Sequence, residues 1–441
     1  MPSPGHQRFI RPLGARKHVL KTFVVHYSEI ALKGKNRPLF TKALRRNIHR
    51  ALGGLDASVD HMDGRFLVSV DADAGDVGSR LSKVFGVSWF AETTIVEGGF
   101  APIESAVLRE SGAMGPGSTF RVAARRADKS FPMTSMVLAR ELGSSVVQKT
   151  GATVDLKAPE VTLHVDVVRG RTLVYSKRQE GPGGLPVGVG GRVLLLFSGG
   201  IDSPVAAWLM MKRGCKPVYL HFYLAPTHQY VLDSKVLKIV KVLSAYGGRS
   251  TMVMVPFAEY QLATSDVPGD CEPSLFRRFM RATAEELAPR FRAAAICTGD
   301  SLAQAASQTL WNLATFDYGS SLPVLRPLLT YDKQEITGLA QRIGTYEPSI
   351  EDYKDCCAII TRHPKTRAKR EMIEEYSRRL DFPGLLRRCL SASTLATYDP
   401  TKGETKSAPL ADVLRKDFTG GDGHRAEEGG LSTEPSDGQN Y

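Results

Sequence analysis

Two short stretches of this 441-residue chain carry side chains suited to chemistry. The first is Ser198-Gly199-Gly200-Ile201-Asp202-Ser203, which follows the apolar run Val193 to Phe197 and leads at once into a helix-like pattern. Adjacent glycines let a backbone approach an anion without Cβ clashes. Ser198 and Ser203 add hydroxyl donors, Asp202 or Ser203 can cap the helix, and Pro204 suits its first turn. The free N–H groups of that helix then face a phosphate. No Lys-Ser or Lys-Thr follows the last glycine, and the loop does not match Gly-x-Gly-x-x-Gly, so two common phosphate loops are excluded. Asp202 is a candidate for positioning Mg²⁺, a role one carboxylate does not establish by itself. The second stretch places Cys356 and Cys357 beside Lys354, Arg362, His363 and Lys365. Cationic neighbours favour the thiolate, which is the nucleophilic form of cysteine.

The elements around these stretches divide the chain. The glycine- and proline-rich run Gln179 to Arg192 cannot be a regular element. Beyond it strands alternate with helices: "VLLLF", "SPVAAWLMMKRG", "KPVYLHFYL", "SKVLKIVKVLSAYG", "RSTMVMVPF", "LFRRFMRATAEELAPRF" and "AAICTGD". That order predicts a doubly wound parallel sheet, in which ligands sit at the carboxyl ends of the strands. Before it, "KTFVVHYSEIAL" reads as a strand, "NRPLFTKALRRNIHRAL" as a basic helix and "GRFLVSV" as a strand. Residues 76–180 read as an α/β mixture, with strands "STFRVAARRA" and "EVTLHVDVVRGRTLVYSKR" and a helix around "SMVLARELGSSVVQ". The expected layout is a basic extension (1–20), segments 21–75 and 76–180, a linker (181–191), the parallel-sheet domain (192–398) and a disordered tail (399–441).

The formal net charge of +12 favours a polyanionic partner such as nucleic acid. Lys33, Lys35, Arg37, Lys42, Arg45 and Arg46 form one basic group suited to phosphates. Arg125, Arg126 and Lys129, beside Phe131, form another suited to backbone or a splayed base. No secretory signal or membrane-length apolar stretch is visible, so a cytoplasmic setting without membrane contact is expected. Six scattered cysteines make no disulfide framework, and the absence of Cys-x-x-Cys argues against an iron–sulfur cluster. Cys215 and Cys297 read as packing residues, while Cys271 and Cys389 have no assigned role.

Ser-Gly-Gly-Ile-Asp-Ser resembles the pyrophosphatase loop (PP-loop) of ATP-dependent adenylating enzymes. Five further stretches, "YSEIALKGKNRPLF", "RVAARRADKSFPMTSMVLARELG", "TGDSLAQAASQTL", "LPVLRPLLTYDKQEI" and "EDYKDCCAIITRHPKT", resemble the ThiI family, the tRNA uridine 4-sulfurtransferases. The resemblance covers roughly residues 20–395, in the family's order. It implies a ferredoxin-like domain, an α/β THUMP domain that binds RNA, and a doubly wound PP-loop domain. It also implies that ATP adenylates the C4 oxygen of uridine 8 in tRNA, and that a persulfide then replaces the oxygen with sulfur. By matching motif, Cys357 falls at the family's catalytic cysteine. The resemblance also implies that Leu196, Phe197, His221, Phe222, Arg277, Gly299 and Gln308 join the Ser198–Ser203 loop around the nucleotide, with adjacent Arg278 the alternative to Arg277 and strand-end packing the alternative reading of His221 and Phe222.

The resemblance is to the form without a rhodanese domain, since only a short polar stretch follows the PP-loop region. A cysteine desulfurase is then expected to load Cys357 directly, with Cys356 or an external thiol resolving the persulfide. Some family members also pass sulfur to the carrier ThiS for thiamine thiazole synthesis. Two rival readings are an ammonia-using PP-loop amide ligase and a catalytically idle tRNA-binding protein. The first needs neither an RNA module nor an exposed cysteine, and the intact loop together with Cys357 speaks against the second. The oligomeric state stays open, a homodimer included.

Overall fold

The computed structural model describes residues 20–354, 356 and 365–419, so Cys357 lies outside the described residues. The chain divides into two compact units, Met1–Val189 with Lys212–Gly214, and Gly190–Met211 with Cys215–Tyr441.

The first unit holds two five-stranded sheets. One is antiparallel, in the order Gln179–Glu180, Trp89–Glu92, Lys21–His26, Arg65–Val70, Ala57–Met62. Helices Arg37–Ala51 and Ala74–Leu81 cover it, burying Leu44, Ile48, Val77 and Leu81 against Phe23, Val25, Val68 and Phe90. The basic helix is therefore amphipathic, and Arg37, Lys42, Arg45 and Arg46 lie exposed on the face away from the core. This sheet takes in residues 89–92 and 179–180, so the boundary expected at residue 75 falls too early. The second sheet runs Thr94–Glu97, Arg171–Tyr175, Val161–Val168, Thr119–Arg126, Thr153–Val154, with helices Phe100–Glu110 and Ser135–Thr150 completing its core. Residues 181–189 are irregular, as their glycines dictate, but they are not a free linker. Leu185 and Val187 are buried, and Asn47 donates to the Val187 carbonyl at 3.1 Å.

The second unit is built on a seven-stranded sheet. Its order is Val324–Leu325, Ala293–Cys297, Arg192–Leu196, Lys216–Tyr223, Ser250–Pro256, Thr394–Asp399, Glu404–Pro409. The first five are parallel to one another, and the last two add a hairpin antiparallel to Ser250–Pro256 at its inner strand. Such central strands are apolar on both faces, as Val193, Leu194 and Leu195 are here. The chain steps outward from Arg192–Leu196 through Lys216–Tyr223 to Ser250–Pro256, then returns to the other side of the first strand as Ala293–Cys297. That reversal is a topological switch point, and the crevice at its carboxyl end is where ligands bind in such sheets.

The hairpin corrects the expected tail. Residues 404–409 form an edge strand and 410–419 a helix, and Leu410 is 1 % exposed. An edge strand with polar outward side chains carries little apolar signal, which is why composition alone reads it as disordered. Among the described residues, no helix is long and apolar enough to cross a membrane.

Candidate active site

The loop at the switch point is held mainly by its own hydroxyls. Ser203 Oγ accepts from the Ser198 amide at 3.2 Å, and Ser198 Oγ accepts from the Gly200 amide at 3.3 Å. Ser203 is 4 % exposed and Ser198 is half-buried, so both hydroxyls shape the loop by accepting its amides, which leaves their O–H protons to donate. Gly199 sits at φ +76°, and a Cβ there would lie 3.1 Å from Val236 Cγ2. This position demands glycine for the backbone itself. Gly200 differs, because a Cβ there would meet only Ser198 Oγ, at 3.4 Å. Nothing within the protein forbids a side chain at Gly200, so its bareness leaves room for a ligand.

Asp202 begins the helix Asp202–Lys212, and both its oxygens are engaged. Gln304 Nε2 donates to Oδ2 at 2.8 Å and Lys333 Nζ to Oδ1 at 2.8 Å. Lys333 opens the helix Lys333–Ile343, whose start is fixed by a capping box between Asp332 and Glu335. Gln304 follows Ala303, a non-glycine residue at φ +63°. Such backbone strain persists where the surroundings over-determine it. One carboxylate already paired with an ammonium does not fit a protein-held Mg²⁺, and no acidic or histidine cluster elsewhere among the described residues would hold a metal.

The second strand end of the crevice is crossed by Gly299. A Cβ there would stand 2.9 Å from the Ser203 amide nitrogen and 3.1 Å from Asp202 C. Backbone meets backbone at this point, so the two loops are locked together. The next residue, Asp300, is 3 % exposed and gathers two arginines. Arg277 binds it with both terminal nitrogens at 2.9 and 2.8 Å, and Arg326 Nε lies at 3.3 Å. Thr298 donates at 2.7 Å. Burial raises the acid's pKa, but Arg277, Thr298 and Arg326 outweigh it and hold the carboxyl at about 2. Arg277 is placed by its helix, Glu272–Phe291, which Phe276 and Phe279 pin against Phe222 of the sheet. Arg277 was expected to neutralise phosphate, yet in this structure its fork is closed on Asp300. Gln308 lies within 3.5 Å of the same carboxylate, and its buried Oε1 has no hydrogen-bond partner among the described residues.

The expected adenosine wall is changed in character. Leu196 is half-buried, whereas Phe197, His221 and Phe222 are buried core side chains. His221 Nδ1–H donates to the Phe197 carbonyl at 2.7 Å, and the Tyr353 hydroxyl donates to Nε2 at 2.8 Å. Burial lowers its pKa to about 4, opposed by the Phe197 hydrogen bond, so the ring is neutral and ties two strand ends together. Strands buried on both faces turn these side chains into the core.

Cys215, Cys271, Cys297, Cys356 and Cys389 are all buried, five of the chain's six cysteines. Burial pushes the Cys297 thiol up, and that of Cys389 up to about 11. Cys271 is also raised, by burial and then by Asp270, although Lys365 Nζ lies 3.6 Å from its sulfur. Cys356 is 1 % exposed within the main apolar cluster, which makes it the less accessible of the two resolving thiols expected, Cys356 or an external one.

In the first unit Lys35, Arg37, Lys42, Arg45, Arg46, Arg125 and Lys129 are exposed. Lys33 is half-buried, 3.7 Å from Glu29. Arg126 turns inward and donates to the carbonyls of Phe131 and Met133 at 3.0 and 3.3 Å, so it holds its loop together instead of extending outward. Sequence reading missed a neighbouring stack. Arg178 lies 4.2 Å over Trp89, which stacks on His26 at 4.0 Å, and Arg178 also reaches His164 at 3.1 Å. Burial and then adjacent arginines lower His26 to about 3 and His164 to about 4. Lys333, Gln304, Asp300 and Arg326 were missed likewise. They lie in "TGDSLAQ" and "LRPLLTYDKQ", stretches that carried the resemblance without assigned roles.

Comparison with known proteins adds independent findings. Residues 188–382 match the family model described as thiamine biosynthesis protein (ThiI), residues 22–91 the ThiI ferredoxin-like domain, and residues 105–177 the THUMP domain. A probable tRNA sulfurtransferase of Moorella thermoacetica is 39 % identical over 391 residues, 86 % of this chain and 98 % of that protein. One from Thermus thermophilus is 40 % identical over 376 residues, covering 84 % and 92 %. A crystal structure of a 4-thiouridine synthetase–RNA complex with bound ATP superposes with a TM-score of 0.78 at 34 % identity, covering 86 % of this chain and all of that one.

Proposed function

Because the chain belongs to the tRNA sulfurtransferase family, we propose that it uses ATP to place sulfur on C4 of the uridine at position 8 of tRNA. The observation that carries this reading is the crevice between two adjacent parallel strands. There a bare glycine loop, an Asp202–Lys333 pair and the Asp300–Arg277–Arg326 cluster converge. The β,γ-phosphates of ATP occupy the Ser198–Ser203 loop and the N-terminus of its helix. Lys333 and Arg277 are the cations that turn from carboxylate to phosphate when ATP binds, while Gly299 and Gln308 line the nucleotide. Any Mg²⁺ is brought by ATP, since the side chains here make no resident site.

The uracil C4 oxygen attacks the α-phosphorus and pyrophosphate leaves, giving an O4-adenylate. A poor leaving group has thereby become AMP. The terminal sulfur of a Cys357 persulfide attacks C4, and AMP departs with the oxygen. A thiol then attacks the S–S bond, leaving 4-thiouridine and a disulfide, which an external reductant reopens. Burial of the five described thiols supports Cys357 as the carrier, and burial of Cys356 favours an external thiol for resolution. A cysteine desulfurase supplies the sulfane sulfur, in the cytoplasm where tRNA resides, and ThiS is a second acceptor of the same persulfide. A homodimer is compatible with this reading and is not required by it. The exposed cations of the first unit hold tRNA by its phosphates. The test is nucleoside mass analysis of tRNA incubated with the chain, ATP, cysteine and a desulfurase. The proposal requires 4-thiouridine at position 8 that disappears when ATP is withheld.

A further inference from the structure

The helix Leu310–Asp317 has two working faces. Its inner face carries Phe316, over which the guanidiniums of Arg277 and Arg326 lie at 4.9 and 5.6 Å, so it backs the nucleotide crevice. Its outer face begins with Trp311, 58 % exposed, and ends at Tyr318, 46 % exposed, about two helical turns on. Each ring is covered by an arginine, Arg367 at 4.0 Å from Trp311 and Arg370 at 4.3 Å from Tyr318.

This arrangement is built, not incidental. Asn312, 4 % exposed, donates to the Lys365 carbonyl at 2.9 Å and accepts from the Ala368 amide at 3.0 Å. Thr309 donates to the Thr366 carbonyl at 2.6 Å. Together they strap segment 365–368 along the helix, which sets Arg367 and Arg370 over their rings. Residues 365–371 hold Lys365, Arg367, Lys369 and Arg370 against one acid, Glu371, which lies 3.3 Å from Arg370. Arg278 adds a further cation, donating to the Tyr318 carbonyl at 3.3 Å. Lys365 pairs with Asp270 at 2.8 Å, and the balance of the patch remains positive.

We propose that Trp311 and Tyr318, with Arg367 and Arg370, form a stacking surface for the unpaired nucleotides that flank the uridine being modified. The inference rests on the tRNA reading above. A base whose C4 oxygen must reach an α-phosphorus has to leave its stack, which exposes the faces of its neighbours. Aromatic rings and guanidinium planes accept such faces, and the surrounding cations take the phosphates. The patch stands on the helix that backs the nucleotide crevice, so a flanking nucleotide bound there lies close to the activating ATP.

The experiment uses the full chain with tRNA transcript, measuring KM for tRNA, KM for ATP and thermal midpoint in Trp311→Ala, Tyr318→Ala and the double variant. Loss of one stacked base should raise the tRNA KM roughly ten-fold, with Trp311→Phe retaining most of the affinity. KM for ATP and the thermal midpoint should stay at wild-type values. A short unpaired RNA should compete with tRNA in wild type and lose that competition in the double variant. An unchanged tRNA KM in the double variant overturns the proposal. So does a defect confined to sulfur loading by a desulfurase, which would make the patch a protein-docking surface. Failure of the wild-type chain to bind tRNA at all would overturn the tRNA reading itself, and this proposal with it.

Discussion

Replacing Asp300 by Asn probes the crevice where charge is most concentrated. The change keeps the volume and a partner for Thr298, but removes the charge that holds Arg277 and Arg326. Those side chains are 16 % and 9 % exposed, so water compensates them poorly. Taking away one partner of a buried ion pair costs about 3–5 kcal/mol. Arg326 also pairs with Asp317 at 2.9 Å, which points to the lower end, about 3 kcal/mol. A second route gives a similar figure. The carboxyl sits at about 2 instead of 3.8. That shift corresponds to about 2 kcal/mol. Because the folded-state value is depressed, this stability is present above pH 3.8 and is lost as pH falls towards 2. Hydrogen exchange read by mass spectrometry on the peptides containing Arg192–Leu196 and Ala293–Cys297 isolates the second unit from the first. The expected result is a loss of about 2–3 kcal/mol in the variant at neutral pH. That difference from wild type should shrink between pH 4 and pH 2. A loss below about 1 kcal/mol, the usual worth of an exposed pair, together with parallel pH profiles, would refute the assignment of Asp300 as the anchor of both arginines.

Other consequences are more compact. Gly200→Val should leave the fold intact, since a Cβ there meets nothing nearer than 3.4 Å, yet abolish pyrophosphate release; normal ATP turnover would sink the phosphate-loop assignment. Gly199→Ala should instead cost about 1–2 kcal/mol of stability from its left-handed backbone, visible as a lowered unfolding midpoint. Arg45→Glu with Arg46→Glu should weaken tRNA binding at low salt and flatten the slope of log K against log salt by roughly 0.7–0.9 per lost phosphate contact. Truncation after Pro400 should destabilise the second unit by removing the edge strand Glu404–Pro409 and buried Leu410, whereas truncation after Thr419 should leave thiolation unchanged.

What the sequence made legible is what local pattern encodes. A strand, a glycine loop and a helix follow one another within twenty-odd residues from Arg192 to Lys212, and the structure reproduces them in that order. The basic helix Arg37–Ala51 likewise shows its apolar stripe in sequence. The Asp300 cluster was not legible, because its charges come from a strand end, the helix Glu272–Phe291 and the loop at Arg326, brought together only by the fold. The same holds for the stack of Arg178, Trp89 and His26, which joins strands far apart in the chain. The burial of Phe197, His221 and Phe222 was only partly legible, as the strand-end packing reading of His221 and Phe222. Motif position places a residue beside a nucleotide, but only packing decides whether side chain or backbone faces it.

The central claim is that adenylation and sulfur transfer are separate events, with Cys357 serving only the second. Its most direct measurement counts AMP released and 4-thiouridine formed in a single turnover with tRNA, ATP and a desulfurase as donor. The wild-type chain should give the two products one for one. Cys357→Ser removes the sulfur with little change of volume, so it should still bind tRNA and ATP and release pyrophosphate while forming no 4-thiouridine. A Cys357→Ser chain that thiolates tRNA at the wild-type rate with the desulfurase would contradict the account.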